Sequence, residues 1–125
     1  MEQREPSDEQ SDLSGVRALT FDVQGTCVDF CQPLLRMGEA VNCAKNLALD
    51  WGALSAAWRG LYRAVLDQVI AGERPWLRVD RIYRETLDVL LEQQGLAGLF
   101  PVAERDELNL VWSRLDAWPD SIEGL

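Results

Sequence analysis

The residues best suited to chemistry stand together in the segment Phe21-Asp22-Val23-Gln24-Gly25-Thr26. This segment follows an apolar run that begins at Val16, and open α/β sheets carry their reactive groups at the carboxyl ends of such strands. An aspartate there, followed by a tight turn at Gly25 and a hydroxyl at Thr26, is typical of a carboxylate nucleophile. A simpler reading stays open, in which Asp22 and Thr26 only cap the turn after the strand.

Gln24 limits the reactions that this segment can perform. Some reactions at a carboxylate nucleophile need a general acid two residues further on, and a glutamine cannot supply a proton. The type of residue at this one position therefore narrows the chemistry.

Composition excludes several classes of function. The net charge is −9 and there is no histidine, so Ser-His-Asp and Cys-His catalysis are excluded and the commonest zinc ligand is missing. We expect no metal and no cofactor. Without a basic stripe, nucleic acid is not an expected partner. Three cysteines form no CxxC pair, and we expect them to be reduced and mostly buried: Cys27, Cys31 and Cys43.

The start of the chain carries no export signal. Residues 1–14 are acidic and polar, which predicts a disordered leader, and they lack the basic start and apolar stretch of a signal peptide. No apolar run approaches the roughly 20 residues that span a bilayer. These features predict a cytoplasmic protein without membrane contact.

The remaining pattern predicts one strand followed by helices. Residues 16–22 are predicted as a strand, and apolar residues recur at helical spacing from Pro33 onward. We expect Asp50 to cap the second helix and Gly95 to end the third. The four predicted helices cover about 33–48, 51–71, 75–94 and 102–115, and a further helix begins near Ile122. A single strand leaves its backbone N–H and C=O groups without hydrogen-bond partners. We therefore expect neighbouring strands that this sequence pattern does not contain.

Several motifs together resemble a known family. The segment Ala18–Asp29 resembles the opening motif of the haloacid dehalogenase superfamily, an apolar strand that ends in DxxGT. Four further segments resemble its L-2-haloacid dehalogenase (type II) branch: 57–59, 72–76, 87–91 and 115–120. The resemblance covers about residues 16–125 and implies an α/β fold. In this mostly α chain, only the first strand of the Rossmann-like core would be present, with a four-helix cap.

The resemblance also implies a division of the chain and a mechanism. Residues 15–31 would form the first core strand and nucleophile loop, 32–118 the helical cap, and 119–125 the return to the core. Asp22 would attack the halogen-bearing carbon of a 2-haloalkanoic acid, and water would hydrolyse the resulting ester. Thr26 would hydrogen-bond around that nucleophile. Halide departs without a proton, which suits Gln24, and an arginine such as Arg59 stabilises the departing anion.

Other side chains of the second helix have two interpretations. Arg59 matches the arginine of the cap that receives halide and substrate, although a solvated helix-face arginine is the plain alternative. Trp58 and Tyr62 lie on the apolar stripe of that helix, where a place in the core competes with a place in the pocket wall. Gln24 replaces the aromatic residue common in the family, which changes the packing of the pocket. Asp29 is expected to organise the loop.

Three elements that the family places after the cap have no match in the sequence: a Ser/Thr at the second core strand, a lysine that balances the nucleophile's charge, and a later acidic loop. The chain's lysine, Lys45, falls in the cap. The resemblance thus implies the N-terminal half of a hydrolase acting on carbon–halide bonds, inactive by itself. A non-catalytic remnant or interaction module is the alternative, a phosphatase is disfavoured by Gln24, and a homodimer remains open.

Overall fold

The computed structural model describes residues 13–125 and is mostly helical. The leader predicted for residues 1–14 lies almost entirely outside these residues. Five α-helices occur in the described part of the chain: α1 (Cys31–Lys45), α2 (Trp51–Ile70), α3 (Val79–Gln93), α4 (Val102–Asn109) and α5 (Ser121–Gly124). The first four form the predicted bundle, with α2 packed on α1 and α3, and α4 on α3.

One small sheet joins the two ends of the bundle. Strands β1 (Val28–Asp29) and β2 (Asp116–Ala117) pair antiparallel, with Val28 opposite Ala117 and Asp29 opposite Asp116. The strand predicted over residues 16–22 is not formed in this structure. Its side chains are exposed, including Leu19 at 74% and Phe21 at 55%. The physical reason is that no other strand among the described residues supplies ladder partners for it.

The residues that begin α2 and end α3 are the ones predicted from the sequence. The Asp50 carboxylate accepts a 3.0 Å hydrogen bond from the amide of Ala53 at the start of α2. Gly95 follows α3 with φ +68°, while the amide of Leu96 donates to the Leu91 carbonyl at 2.8 Å, which is the Schellman arrangement. The fourth helix is shorter than the predicted 102–115, because after Asn109 the chain tightens into a 3₁₀ turn over Leu110–Ser113.

The core lies between the helices and is rich in aromatic rings. Its best-buried large side chains include Trp58, Tyr83 and Phe100. Helices α1 and α2 approach closely where Gly38 faces Trp51, since a Cβ atom on Gly38 would lie 2.0 Å from the indole Cγ. A glycine at this position therefore makes room for the indole ring.

The cysteines are free, but the predicted burial is wrong. Cys31 and Cys43 are exposed and Cys27 is half-buried. Cys31 opens α1 and Cys43 lies on its solvent side, so helical geometry turns both away from the core. Between residues 13 and 125, no helix combines the length and the apolar character that crossing a membrane requires.

Candidate active site

The loop that carries Asp22 is a compact turn closed by its own hydrogen bonds. The Thr26 hydroxyl donates to Asp22 Oδ2 at 2.8 Å. The amides of Cys27 and Val28 both donate to the Val23 carbonyl, at 2.9 and 3.1 Å, and Gly25 has φ +91°. The side chain of Asp22 is exposed at the surface of the described residues. The loop therefore presents a carboxylate that one hydroxyl already orients.

Asp29 fixes this loop to the first helix. Its Oδ1 accepts hydrogen bonds from the amides of Cys31, at 2.8 Å, and Gln32, at 3.2 Å. These amides begin α1 and have no partner within the helix, so the carboxylate serves as the helix cap. This contact agrees with the expectation that Asp29 organises the loop.

The segment after the bundle returns to the same loop. The Trp118 indole Nε1 donates to the Gly25 carbonyl at 3.0 Å, and the Trp118 amide donates to the Cys27 carbonyl at 3.1 Å. The Ser121 hydroxyl donates to the same Cys27 carbonyl at 2.7 Å. The chain thus leaves the loop that carries Asp22, forms the helical bundle and returns to bind the same loop.

A tyrosine of the bundle contacts Gln24. The hydroxyl of Tyr83, on α3, donates to Gln24 Oε1 at 3.0 Å. The sequence pattern assigned Tyr83 no role in the site, so this contact was missed. The available signal was the residue type, because a buried tyrosine hydroxyl usually finds a hydrogen-bond partner.

Stacked aromatic rings hold Tyr83 in place. Its ring lies between Tyr62, with centroids 4.0 Å apart, and Trp112, with centroids 3.9 Å apart, and both pairs are nearly parallel. Trp58 meets Tyr83 edge-on and donates from Nε1 to the Tyr83 carbonyl at 2.9 Å. Trp58 is a core residue with 1% exposure, whereas Tyr62 is half-buried beside the residue that contacts Gln24.

This environment changes the acidity of the Tyr83 phenol. Burial, together with the nearby Tyr62, raises the pKa of Tyr83 to about 12, although the positive charge of Arg59 acts in the opposite direction. The phenol is consequently protonated at neutral pH and remains a hydrogen-bond donor.

Arg59 is a half-buried cation without a carboxylate partner. Its guanidinium lies over the ring of Phe30, 3.6 Å from the centroid. The Phe30 ring also packs beside Gly25 in the loop that carries Asp22. Four arginines of the described chain are half-buried, and three of them bind carboxylates: Arg74, Arg84 and Arg105. Arg59 forms no ion pair within residues 13–125, so its charge is available to an anion.

Five of the six predicted site residues fall into two contact groups, and the sixth, Arg59, lies over Phe30. Asp22 contacts Thr26, whereas Gln24, Tyr62 and Trp58 are linked through Tyr83. Lys45 lies in α1 and pairs with Glu104 at 2.7 Å, away from both groups. A cavity of about 720 Å³ also lies elsewhere, between α1 and the residues around α4. We place the site at Asp22 rather than in this cavity because the cavity contains none of the predicted reactive groups.

Comparison with known proteins identifies the fold. No protein-family model and no curated protein matches the chain. Among solved structures, the defluorinating L-2-haloacid dehalogenase Rha0230 is similar, with a TM-score of 0.77 and 31% identity over 83% of this chain and 43% of its own. The L-2-haloacid dehalogenase PA0810 has a TM-score of 0.79 and 34% identity over 88% of this chain and 46% of its own.

The chain therefore spans less than half the length of either structure that it matches. The helical bundle and the small sheet follow the fold of these enzymes, which confirms the expected fold class. Along the part of their length that it covers, the chain belongs to the haloacid dehalogenase superfamily, in the branch of the L-2-haloacid dehalogenases.

Proposed function

We propose that this chain supplies the nucleophile and the anion-binding arginine of a hydrolase that cleaves the carbon–halogen bond of 2-haloalkanoic acids. Two observations carry the proposal: an oriented carboxylate, and a cation that has no carboxylate partner within residues 13–125. Asp22 is oriented by Thr26, and Arg59 is half-buried without a carboxylate among the described residues. The likeness to two L-2-haloacid dehalogenases supports the same chemistry.

In this reaction a carboxylate oxygen of Asp22 attacks the carbon that bears the halogen. The new carbon–oxygen bond forms as the carbon–halogen bond breaks, and the bonding electrons leave with the halide. Water then attacks the aspartyl ester, releases a 2-hydroxy acid and restores the carboxylate. Halide needs no proton to depart, so a glutamine at position 24 is compatible with the first step.

Arg59 would stabilise the charge that develops on the leaving halide. A guanidinium with no carboxylate of its own is not neutralised before substrate arrives, and Phe30 holds it by a contact that keeps the charge available. Electrostatic stabilisation of this kind is often worth a factor of about 10²–10³ in rate. The substrate carboxylate is a second anion that the same arginine can bind.

The chain by itself is expected to release no halide from 2-chloropropionate. Within residues 13–125 no lysine faces Asp22, because Lys45 pairs with Glu104 on another side of the bundle. A chimaera tests the proposal directly: this chain replaces the matching part of PA0810, and chloride release is measured. We expect turnover, its abolition by Asp22→Asn and a loss of about 10²-fold with Arg59→Ala.

Arg63→Ala is the matched control, since Arg63 lies one turn further along α2 and forms only an exposed pair with Asp67. A folded chimaera that releases no chloride would contradict the proposal and favour a non-catalytic remnant. Phosphate release from a phosphate monoester, dependent on Asp22, would instead favour a phosphatase. Turnover by the chain alone, lost in Asp22→Asn, would support the chemistry and contradict the expected need for a lysine.

A further inference from the structure

We propose that Tyr83 is a positioning residue that fixes the carboxamide of Gln24, so that the amide nitrogen of Gln24 donates a hydrogen bond to an anion bound beside Asp22. The anion is the halide or carboxylate of the proposed function, on which this inference rests. Neither the DxxGT motif nor the position of Tyr83 in a helix face indicates this role.

The hydroxyl of Tyr83 has little freedom to move. Its ring is enclosed by Tyr62 and Trp112 at 4.0 and 3.9 Å, and the residue is fully buried. Its backbone carbonyl accepts hydrogen bonds from Trp58 Nε1 at 2.9 Å and from the Thr86 hydroxyl at 3.1 Å. Both the ring and the backbone are therefore held, and the hydroxyl has a fixed position.

This fixed donor determines which end of the Gln24 carboxamide faces the bundle. The phenol, with a pKa of about 12, is a donor at neutral pH, and it donates to Oε1 at 3.0 Å. The two polar atoms of a carboxamide point in different directions, so the nitrogen is turned away from Tyr83. Within residues 13–125 this nitrogen has no hydrogen-bond acceptor, and its two N–H groups remain available.

The position of Gln24 in the chain places these donors beside the nucleophile. Gln24 lies in the same turn as Asp22 and Thr26, and it is half-exposed. The positive charge of Arg59 is close enough to Tyr83 to lower the pKa of its phenol. An anion at this loop would thus meet a guanidinium and a preoriented amide, and preorganised donors bind developing charge without reorganisation.

The test measures the positioning of Gln24 separately from its binding of an anion. In the 125-residue chain labelled with ¹⁵N, the Gln24 side-chain amide is compared between wild type and Tyr83→Phe, which keeps the stacked ring. The exposed helix residues Gln68 and Gln93 provide internal references. We expect a Gln24 amide that is rigid on the NMR timescale in wild type and as mobile as the references in Tyr83→Phe.

Sodium bromide is then titrated into each protein, and the shifts of the Gln24 and Arg59 side-chain N–H signals are followed. Tyr83→Phe is expected to weaken bromide binding about three- to tenfold, the range that one hydrogen bond supplies. Gln24→Met, which removes the carboxamide from a half-exposed position, should weaken bromide binding by a similar factor. It keeps the result interpretable if Tyr83→Phe does not fold.

Each outcome decides a separate part of the inference. A Gln24 amide that is equally mobile in wild type and Tyr83→Phe would overturn the positioning role. Bromide shifts at Arg59 without any at Gln24 would overturn the donor role and leave the proposed function intact. No shift at either residue, with Gln24 still rigid, would contradict the anion site of the proposed function and the donor role together.

Discussion

The indole nitrogen of Trp118 donates to the carbonyl oxygen of Gly25 across 93 residues of sequence, at 3.0 Å. This bond joins the end of the helical bundle to the loop that carries Asp22. Together with the pairing of β1 and β2, this bond holds together the chain segments that enter and leave the helical bundle. The position of Asp22 relative to the bundle therefore depends on a residue that is remote in the sequence.

Replacing Trp118 with phenylalanine should loosen the loop that carries Asp22. Phenylalanine keeps an aromatic ring at this position but has no indole N–H donor. We therefore expect a decrease of about 0.5–1.5 kcal/mol in the free energy of unfolding. Amide exchange at residues 25–28 should become faster, measured by hydrogen–deuterium exchange. Trp76→Phe is the control, because Trp76 is 78% exposed and should change stability by less than about 0.5 kcal/mol. Equal exchange in both variants would contradict the prediction.

Gly38→Ala should destabilise the packing of α1 on α2. The new methyl group would lie 2.0 Å from Trp51 Cγ, so the indole ring or the helix must move. We expect a loss of about 1–3 kcal/mol in urea unfolding. Gly60→Ala is the matched control, since its added Cβ meets no atom within 4 Å and alanine favours a helix interior by up to about 1 kcal/mol. We expect Gly38→Ala to lower the free energy of unfolding and Gly60→Ala to raise it. Two variants of equal stability would refute this account.

Asp88→Asn should lower stability at neutral pH but not in acid. Partial burial acts to raise the pKa of Asp88, but hydrogen bonds from Arg105 and Arg84 outweigh it and hold that pKa below its usual value. A lowered pKa in the folded state stabilises the protein above the unfolded pKa of about 3.9 and stops doing so as pH falls through the folded value.

Because the Asp88 side chain is 44% exposed, we expect roughly 1 kcal/mol at pH 7, after discounting for solvent screening. Urea unfolding of wild type and variant at pH 7, 5 and 3 measures the difference, which should shrink only at the lowest pH. Asp67→Asn, which breaks an exposed pair with Arg63, is the control with about 0.3–0.5 kcal/mol. A difference that is constant from pH 7 to 3 would argue against the ion pair.

One tyrosine should ionise only in strong alkali. The chain has two tyrosines, and the pKa of Tyr83 is raised to about 12 by burial and by Tyr62. A raised pKa stabilises the folded state below the unfolded pKa, near 10, and this contribution is lost as pH rises towards 12. Absorbance at 295 nm should show a step near pH 12 that is absent from Tyr83→Phe. Complete ionisation of both phenols by about pH 10.5 in the folded chain would contradict the burial.

Local signals predicted much of the bundle but not all of its boundaries. Asp50 and Gly95 act through neighbouring backbone atoms, so their roles could be read from the order of residues. The strand over residues 16–22 was predicted from its apolar character, yet a strand depends on a neighbour, and the described chain offers none to it. The exposure of Cys31 and Cys43 was missed because residue type alone does not decide which side of a helix a side chain occupies.

For the site, the sequence by itself determined the kinds of groups present: a carboxylate, a hydroxyl four residues away, an amide in place of an acid, and an arginine on a helix. Contacts within a short loop, such as that between Asp22 and Thr26, follow from this spacing. Only the tertiary structure decided that Tyr83 contacts Gln24 across 59 residues and that Arg59 lies on Phe30, with no carboxylate partner within residues 13–125. The reason is physical: partners distant in the chain meet through the packing of whole helices, which no local pattern specifies.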